Sequence, residues 1–421
     1  MAPHMSEVLS HIFLSPAIDL VPQIPGYRKG LDYSDEEFVI LGLSRIQSLQ
    51  PSGRGFLQSV RQRDLTDTSV RAYFAAAQSD RRLGFLHELN RQVSLKVTAR
   101  VDRFAAFPEL RGRELLAIDG HAIQHATHEP PATTAKGSRD VPASATGIFL
   151  QDLRTGATRM LAQTQGHQHE WAALKEQPWS EFHWVAGSKN TLWIIDPVAV
   201  DFAFLRAAKY KGCGGVITRT KTNLSPTTTL PKTWDKADPR NEGVNADERV
   251  HFGENGEFRR IGYLNPETGE SYEFLTTEFH LPPGVIAQLY RLRWDIEKFF
   301  DVCENVWAEK RAWGAGAIAA QVQNEFLVLT QNLVLLLNEQ LEEKESLRDE
   351  KSDAKYAKAL EKRRHIAEAN GRTVPPWVGM LHRITRWSCQ YTRWLADALV
   401  FGWTWKDAIQ RLRPLLLAYM R

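Results

Sequence analysis

Three acids in this sequence have neighbours that suit chemistry. Asp119 closes the apolar run Glu114-Leu-Leu-Ala-Ile-Asp119, and Asp196 closes Thr191-Leu-Trp-Ile-Ile-Asp196. Both runs read as buried strands ending in a carboxylate. Strand ends in parallel or mixed sheets border the crevice where ligands collect. Two carboxylates raised there on neighbouring strands repel each other, and a divalent cation between them relieves that repulsion. Mg²⁺ takes such oxygen ligands and keeps waters for substrate phosphates. Two ions about 3.5–4 Å apart can activate an attacking oxygen and stabilise a leaving one. The third acid, Glu297, lies in Leu289-Tyr-Arg-Leu-Arg-Trp-Asp-Ile-Glu-Lys-Phe-Phe300. At about 100° per residue, Tyr290, Arg293 and Glu297 share one helical face. That face can place its acid on a metal and its base on a phosphate. The plainer alternative is a surface Arg–Glu pair one turn apart, worth a few tenths of a kcal/mol.

The elements that must position these residues are legible in outline. Ser34-Asp-Glu-Glu37 is a capping box before an apolar run. Thr66 to Asn90 has helical spacing and carries Arg71, Arg81 and Arg82, with Arg91 next, a basic face that either meets phosphate or is simply solvated. Thr146 to Leu153 and Thr158 to Thr164 read as strands joined through Arg154-Thr155-Gly156, a hairpin signal. Trp171 to Trp179 reads as a short helix, Phe202 to Tyr210 as another, and Gly215 to Arg219 as the next strand. Asn223 to Thr276, rich in Pro, Thr, Gly and charge, reads as a β-rich insertion containing strands at Arg259–Tyr263 and Ser271–Leu275. Pro282-Pro283 opens one long helix to about Ala308. Asn324 to Gln340 is a second, apolar helix, Glu342 to Arg364 an exposed charged one, and Trp377 to Met420 an amphipathic tail. The pattern predicts an α/β fold, a mixed sheet with flanking helices.

Composition bounds the function. The chain has 421 residues, enough for two or three lobes, a net charge of +3, 43% hydrophobic and 24% charged residues. Three separated cysteines, Cys213, Cys303 and Cys389, argue against a disulfide framework and for a reducing compartment. No signal-peptide pattern opens the chain, and the most apolar stretch, Phe326 to Leu337, is too short and polar to span a membrane. A cytoplasmic protein is expected. No GKS/GKT loop or GxSxG elbow is present, which disfavours a nucleotide triphosphatase or serine hydrolase. His121, His125 and His128 follow Asp119, but with no second ligand cluster they make a poor zinc site; His121 could instead support the acid from behind. Lys136 to Arg139 reads as a loop.

Together, the acids and the Tyr-x₂-Arg-x₃-Glu spacing of Tyr290, Arg293 and Glu297 resemble the DDE transposases of the insertion-sequence-4 group. Ala117-Ile-Asp-Gly120 is similar to that family's first motif. Trp193-Ile-Ile-Asp196, with Asp201-Phe202 and Val216-Ile-Thr-Arg-Thr-Lys221, is similar to its second. The likeness covers roughly Leu110 to Asn338. It implies a ribonuclease H-like core with acids on the first and fourth strands and a glutamate on a following helix. It further implies catalysis by Asp119, Asp196 and Glu297 holding Mg²⁺ or Mn²⁺, two ions in all. The expected substrate is double-stranded DNA at inverted-repeat ends and at a target, cut and joined by a homodimer working on the nucleoid. Expected DNA contacts are Tyr290, Arg293, Arg219, Lys221, Lys298, Lys310 and, within the β-rich insertion, Trp234, a candidate base-stacking residue or an ordinary loop tryptophan. The resulting division is a helical DNA-binding region at 1–108, a catalytic core at 109–341 containing the insertion 223–276, and a helical, dimerising region at 342–421.

Two positions depart from the family pattern. Its lysine seven residues after the glutamate, which helps hold the DNA end, falls at Glu304. There a like charge would repel phosphate, leaving Lys298, Lys310 or Arg311 to compensate. The Asp-Arg-Gly after the second strand is altered to Asp196-Pro197-Val198. These departures keep open a non-catalytic DNA-binding descendant, or a nuclease that cannot join.

Overall fold

A computed structural model of the chain describes residues 15–371, 373 and 403–420, apart from 31, 49–51, 65, 100–101, 124–131, 134–139, 142–144, 165–167, 169, 186–187, 189, 197–200, 211–212, 221–223, 306, 308–311, 315 and 347–349. After a single helical turn at Ser15–Ile18 come four longer helices: α1 (Asp35–Gln47), α2 (Gly53–Gln62), α3 (Val70–Ala76) and α4 (Asp80–Lys96). Each is capped by a serine, Ser34, Ser52, Ser69 or Ser79, whose hydroxyl accepts from a backbone N–H in the first turn. At α1 only half of the expected capping box forms. Ser34 accepts from the Glu37 amide, but the Glu37 carboxylate accepts from the Thr66 and Thr68 hydroxyls instead of reaching back. Thr66 to Asn90 is two helices rather than one.

The sheet follows: β1 (Glu114–Ile123), β2 (Ala145–Asp152), β3 (Thr158–Gln163), then helix α5 (Glu170–Lys175), β4 (Thr191–Ile195), helix α6 (Phe202–Tyr210) and β5 (Cys213–Arg219). The β2–β3 hairpin turns at Gly156, φ +79°, as its composition predicted. The β-rich stretch supplies β6 (Thr228–Pro231), β7 (Val244–His251), β8 (Glu257–Leu264) and β9 (Ser271–Thr276). It extends the same sheet, because β9 pairs antiparallel with β5. The nine strands lie in the order β3-β2-β1-β4-β5-β9-β8-β7-β6. β4 runs parallel to β1 and to β5, and the other pairings are antiparallel. This is the expected ribonuclease H-like mixed sheet with flanking helices.

Two expectations about the acid-bearing elements need correction. Asp119 does not end its strand. β1 continues to Ile123 because β2 stays paired with it as far as Ile123↔Ala145, whereas the parallel pairing to β4 stops at Ile118↔Ile195. The crevice therefore opens on the β4 side of an unbroken β1. The single long helix expected from Pro283 is two helices, α7 (Pro283–Leu292) and α8 (Trp294–Asn305). They are divided at Arg293, where tighter bonds run from Arg293 N to Tyr290 O and from Ile296 N to Arg293 O, each 3.1 Å.

The long helix α9 (Ala317–Glu345) packs on β2 and β3 and against α1 and α4, and α4 also touches β3. Gly42 of α1 allows this approach, since a Cβ there would come within 2.0 Å of the Phe326 ring. One hydrophobic cluster joins the N-terminal helices, the sheet and α9. In the β-rich part, buried Arg259 makes a two-pronged pair with Asp247 at 2.7 Å and donates to the Leu281 carbonyl at 2.7 Å. This ties β7 and β8 to the chain entering α7. The charged helix α10 (Glu350–Ala369) and α11 (Trp405–Met420) follow. Most of the tryptophan-rich tail lies outside the described residues. Among the described residues no helix is long and apolar enough to cross a membrane.

The basic face expected on the second helical stretch is largely consumed inside the fold. Arg81 and Arg82 both pair with buried Asp35, at 2.7 and 3.2 Å, and Arg91 pairs with Glu88 at 2.7 Å. α4 is further tied to α9 by polar bonds. Asn90 donates to the Glu325 carbonyl at 2.8 Å. His87 lies between Glu325 at 2.8 Å and Glu181 at 3.3 Å. The Glu325 charge, with the hydrogen bonds to Glu181 and Glu325, raises His87 to about 10. A raised histidine contributes stability that is complete below its ordinary value of 6.5 and is lost as pH rises through about 10. Melting curves should therefore show wild type more stable than His87→Gln at neutral pH. The gap should close as pH passes 10. A gap independent of pH would contradict this.

Candidate active site

The three acids come from three elements and meet on one side chain. Arg293, in the break between α7 and α8, reaches back toward the sheet. Its Nη1 donates to Asp119 Oδ2. Its Nη2 donates to Glu297 Oε1 at 2.9 Å, one turn along, and lies 3.4 Å from Asp196 Oδ2 just past the end of β4. The local reason is helical geometry: Arg293 and Glu297 stack on one face, and that face lies against β1. The guanidinium side chain is 5% exposed and Asp119 14%, whereas Asp196 and Glu297 are 34% and 33% exposed. Asp119 thus forms the inner wall, and the other two carboxylates face the opening.

The electrostatics follow from this placement. Burial raises Asp119 to about 6 against the pull of Arg293 and the Gly120 amide, which donates to Asp119 Oδ1 at 2.9 Å. Burial lowers Arg293, but Asp119, Asp196 and Glu297 with Tyr290 outweigh it, so its value is raised. Tyr290 is pushed up to about 12, chiefly by burial, and its ring lies 5.1 Å from Phe274. Its ring centre also lies 5.9 Å from the Arg293 guanidinium carbon. All the donors are hard carboxylate oxygens, the set that Mg²⁺ or Mn²⁺ prefers. They gather on the guanidinium rather than on one another. Among the described residues no group of three or more His, Cys, Asp or Glu side chains is close enough to hold a metal ion as it stands.

The family model for the transposase DDE domain matches residues 111–333, which span β1 to α9 and all three acids. The chain belongs to the DDE transposase family. No curated protein matches it.

Asp295 and Arg103, behind these acids, carried no signal in the sequence, whereas His121, Gly120 and Glu304 were already marked by it. Asp295, two residues before Glu297 and on the opposite face of α8, is buried. It pairs with Arg103 at 2.8 Å and Lys298 at 3.1 Å. Arg103 also donates to the Leu153 carbonyl at 3.0 Å. The rear of α8 is thereby bolted to the turn after β2, which sets the angle at which its front face presents Glu297. His121 stacks on Phe300 of α8 at 4.7 Å, and its Nδ1 lies 3.9 Å from Glu304. Gly120, between Asp119 and His121, leaves room for a further acid: a Cβ there would come within 2.6 Å of Glu170 Oε1. Trp294, beside Arg293, is 54% exposed.

The expected DNA contacts are distributed unevenly. Arg219 ends β5, exposed, with its guanidinium 5.2 Å from the Tyr272 ring centre, and its charge is felt by Tyr290. Lys298 is engaged with Asp295. Trp234 is half-buried beneath the Lys236 ammonium at 5.4 Å, which suits the loop role as well as the stacking one. Lys221 and Lys310, like His125, His128 and the loop 136–139, lie outside the described residues.

The rear bolt gives a test. Asp295→Ala strands the guanidinium of Arg103 in a site where it is 11% exposed. Removing one partner of such a buried pair costs roughly 3–5 kcal/mol. Urea unfolding should show a loss of that order; a change below about 1 kcal/mol, the surface-pair range, would contradict it.

Proposed function

We propose that this chain is a transposase of the insertion-sequence-4 group, which cuts DNA at the ends of an element and joins the freed strand to a target. The observation that supports this is the convergence of Asp119, Asp196 and Glu297, from β1, the end of β4 and α8, on a single point. Carboxylates brought together from three elements, against their mutual repulsion, suit a cation site better than a structural one. In this reading Asp119, Asp196 and Glu297 hold Mg²⁺ or Mn²⁺. The ions, when bound, supply activation of the attacking oxygen and stabilisation of the leaving one.

The protein's own side chains do the rest. Asp196 and Glu297 form the open side, through which a phosphodiester approaches. Exposed Arg219 and Trp294 on the rim meet backbone and bases. Asp295 and Arg103 fix the pitch of α8. In the first step water breaks the phosphodiester at the element end and leaves a 3′ hydroxyl. In the second, that hydroxyl displaces a 3′ oxygen in another strand. Two ends need two sites, so the working form is a homodimer on DNA, with residues 1–108 contributing DNA binding and 342–421 dimerisation. The place of action is the cytoplasm, on the nucleoid.

Nicking and strand-transfer assays on the flanking inverted repeats, with Mg²⁺ or Mn²⁺, test the reading. Glu297→Gln should lower cleavage by about a thousandfold, the scale of losing several kcal/mol of transition-state stabilisation. It should leave DNA binding in place. Cleavage at the wild-type rate in that variant would remove Glu297 from the site. Wild-type binding without any metal-dependent cleavage would point instead to a non-catalytic descendant of a transposase.

Glu304 is 62% exposed, in the position of the family lysine. Glu304→Lys should bind element DNA more tightly and with a steeper salt dependence, by about one further phosphate contact. An unchanged slope of log K against log salt would place residue 304 away from the DNA.

A further inference from the structure

Arg293 was expected to grip phosphate, yet its guanidinium is buried among the three acids. The geometry points to a second role: we infer that Arg293 is the site's internal counter-cation, holding the three carboxylates together before metal binds and vacating them to admit it. This rests on the proposed metal site.

Three observations carry it. First, the guanidinium contacts all three carboxylates at once, bonding Asp119 and Glu297 and lying 3.4 Å from Asp196. It stands at the point on which they converge. A divalent ion shared by them would need the same oxygens, and it would meet a fixed positive charge at contact distance. Second, the described residues offer no alternative grouping close enough for a metal, so the carboxylates must move together once the guanidinium withdraws. Third, the clamp is incomplete. Arg293 Nε is buried with no acceptor among the described residues. An unmet buried donor is costly, and leaving the cluster for a phosphate, which accepts two parallel N–H bonds, satisfies the fork better. Arg293 lies at the junction of α7 and α8, outside the regular run of either helix.

The consequence is an exchange. Without DNA, the three carboxylates are neutralised in part by Arg293 and metal competes with it. With a phosphate at the opening, Arg293 has somewhere to go, and metal and DNA favour each other's binding. Most of the cost of bringing like charges together is thereby met before substrate arrives.

The experiment is a Mn²⁺ titration of the full chain without DNA, followed by electron paramagnetic resonance of the free ion. Arg293→Gln removes the competing charge and should tighten Mn²⁺ binding by roughly tenfold, within the usual range for coupled sites, while lowering the melting temperature in chelator. Arg293→Lys keeps a charge but not the planar fork and should fall between wild type and Arg293→Gln. The intermediate variant keeps the test informative if Arg293→Gln fails to fold. Mn²⁺ affinity unchanged or weaker in both variants overturns the inference while leaving the metal site standing. Glu297→Gln separates the two readings: Mn²⁺ binding in wild type and in the Arg293 variants that Glu297→Gln does not weaken would overturn the site itself and the inference with it.

Discussion

Three carboxylates crowded into a partly buried crevice cannot be stable alone, and the ion cluster around Arg293 is how this chain assembles them. Each acid belongs to a different element, so the cluster is also a tertiary lock: β1 through Asp119, the end of β4 through Asp196, and α8 through Glu297. The guanidinium joins the sheet to the helix that lies across it. Burial works against the charged forms of both partners, raising Asp119 and pulling Arg293 down, while the surrounding acids keep Arg293 charged.

The rest of the architecture sets the distances that this joint requires. Parallel pairing of β1 with β4 ends one residue before each acid, at Ile118↔Ile195, which leaves Asp119 and Asp196 side by side at the lip of the sheet. The helix α8 is fixed from behind by Asp295 and Arg103 and from the side by the Phe149, Phe299 and Phe300 cluster. The buried Arg259–Asp247 pair holds the β-rich strands to the start of α7.

Charge is spent sparingly elsewhere. A helical stretch with four arginines resembles a DNA-binding face in sequence, but it divides into two helices, and Arg81, Arg82 and Arg91 each have a carboxylate partner within the fold. Arg219, exposed at the end of β5, and Trp294, exposed and next to Arg293 in the chain, remain as basic and aromatic groups on the surface.

What the sequence determined by itself was local. Apolar runs bounded by turn residues marked β1 through β5 and most of their limits, because strand burial writes itself as uninterrupted Val, Ile, Leu and Trp. The three acids and the shared face of Tyr290, Arg293 and Glu297 were legible because a helical repeat is a property of neighbours in the chain. Tertiary structure alone decided the remainder. That β1 runs on past Asp119 depends on its partner β2. That the helix divides at Arg293 accompanies contacts with acids distant in the chain, Asp119 on β1 and Asp196 just past β4. The bolt from Asp295 to Arg103 spans 192 residues. The arginine that looked free for phosphate is held by carboxylates that folding brings to it from three separate elements, and no periodicity along the chain records which charges folding will bring together.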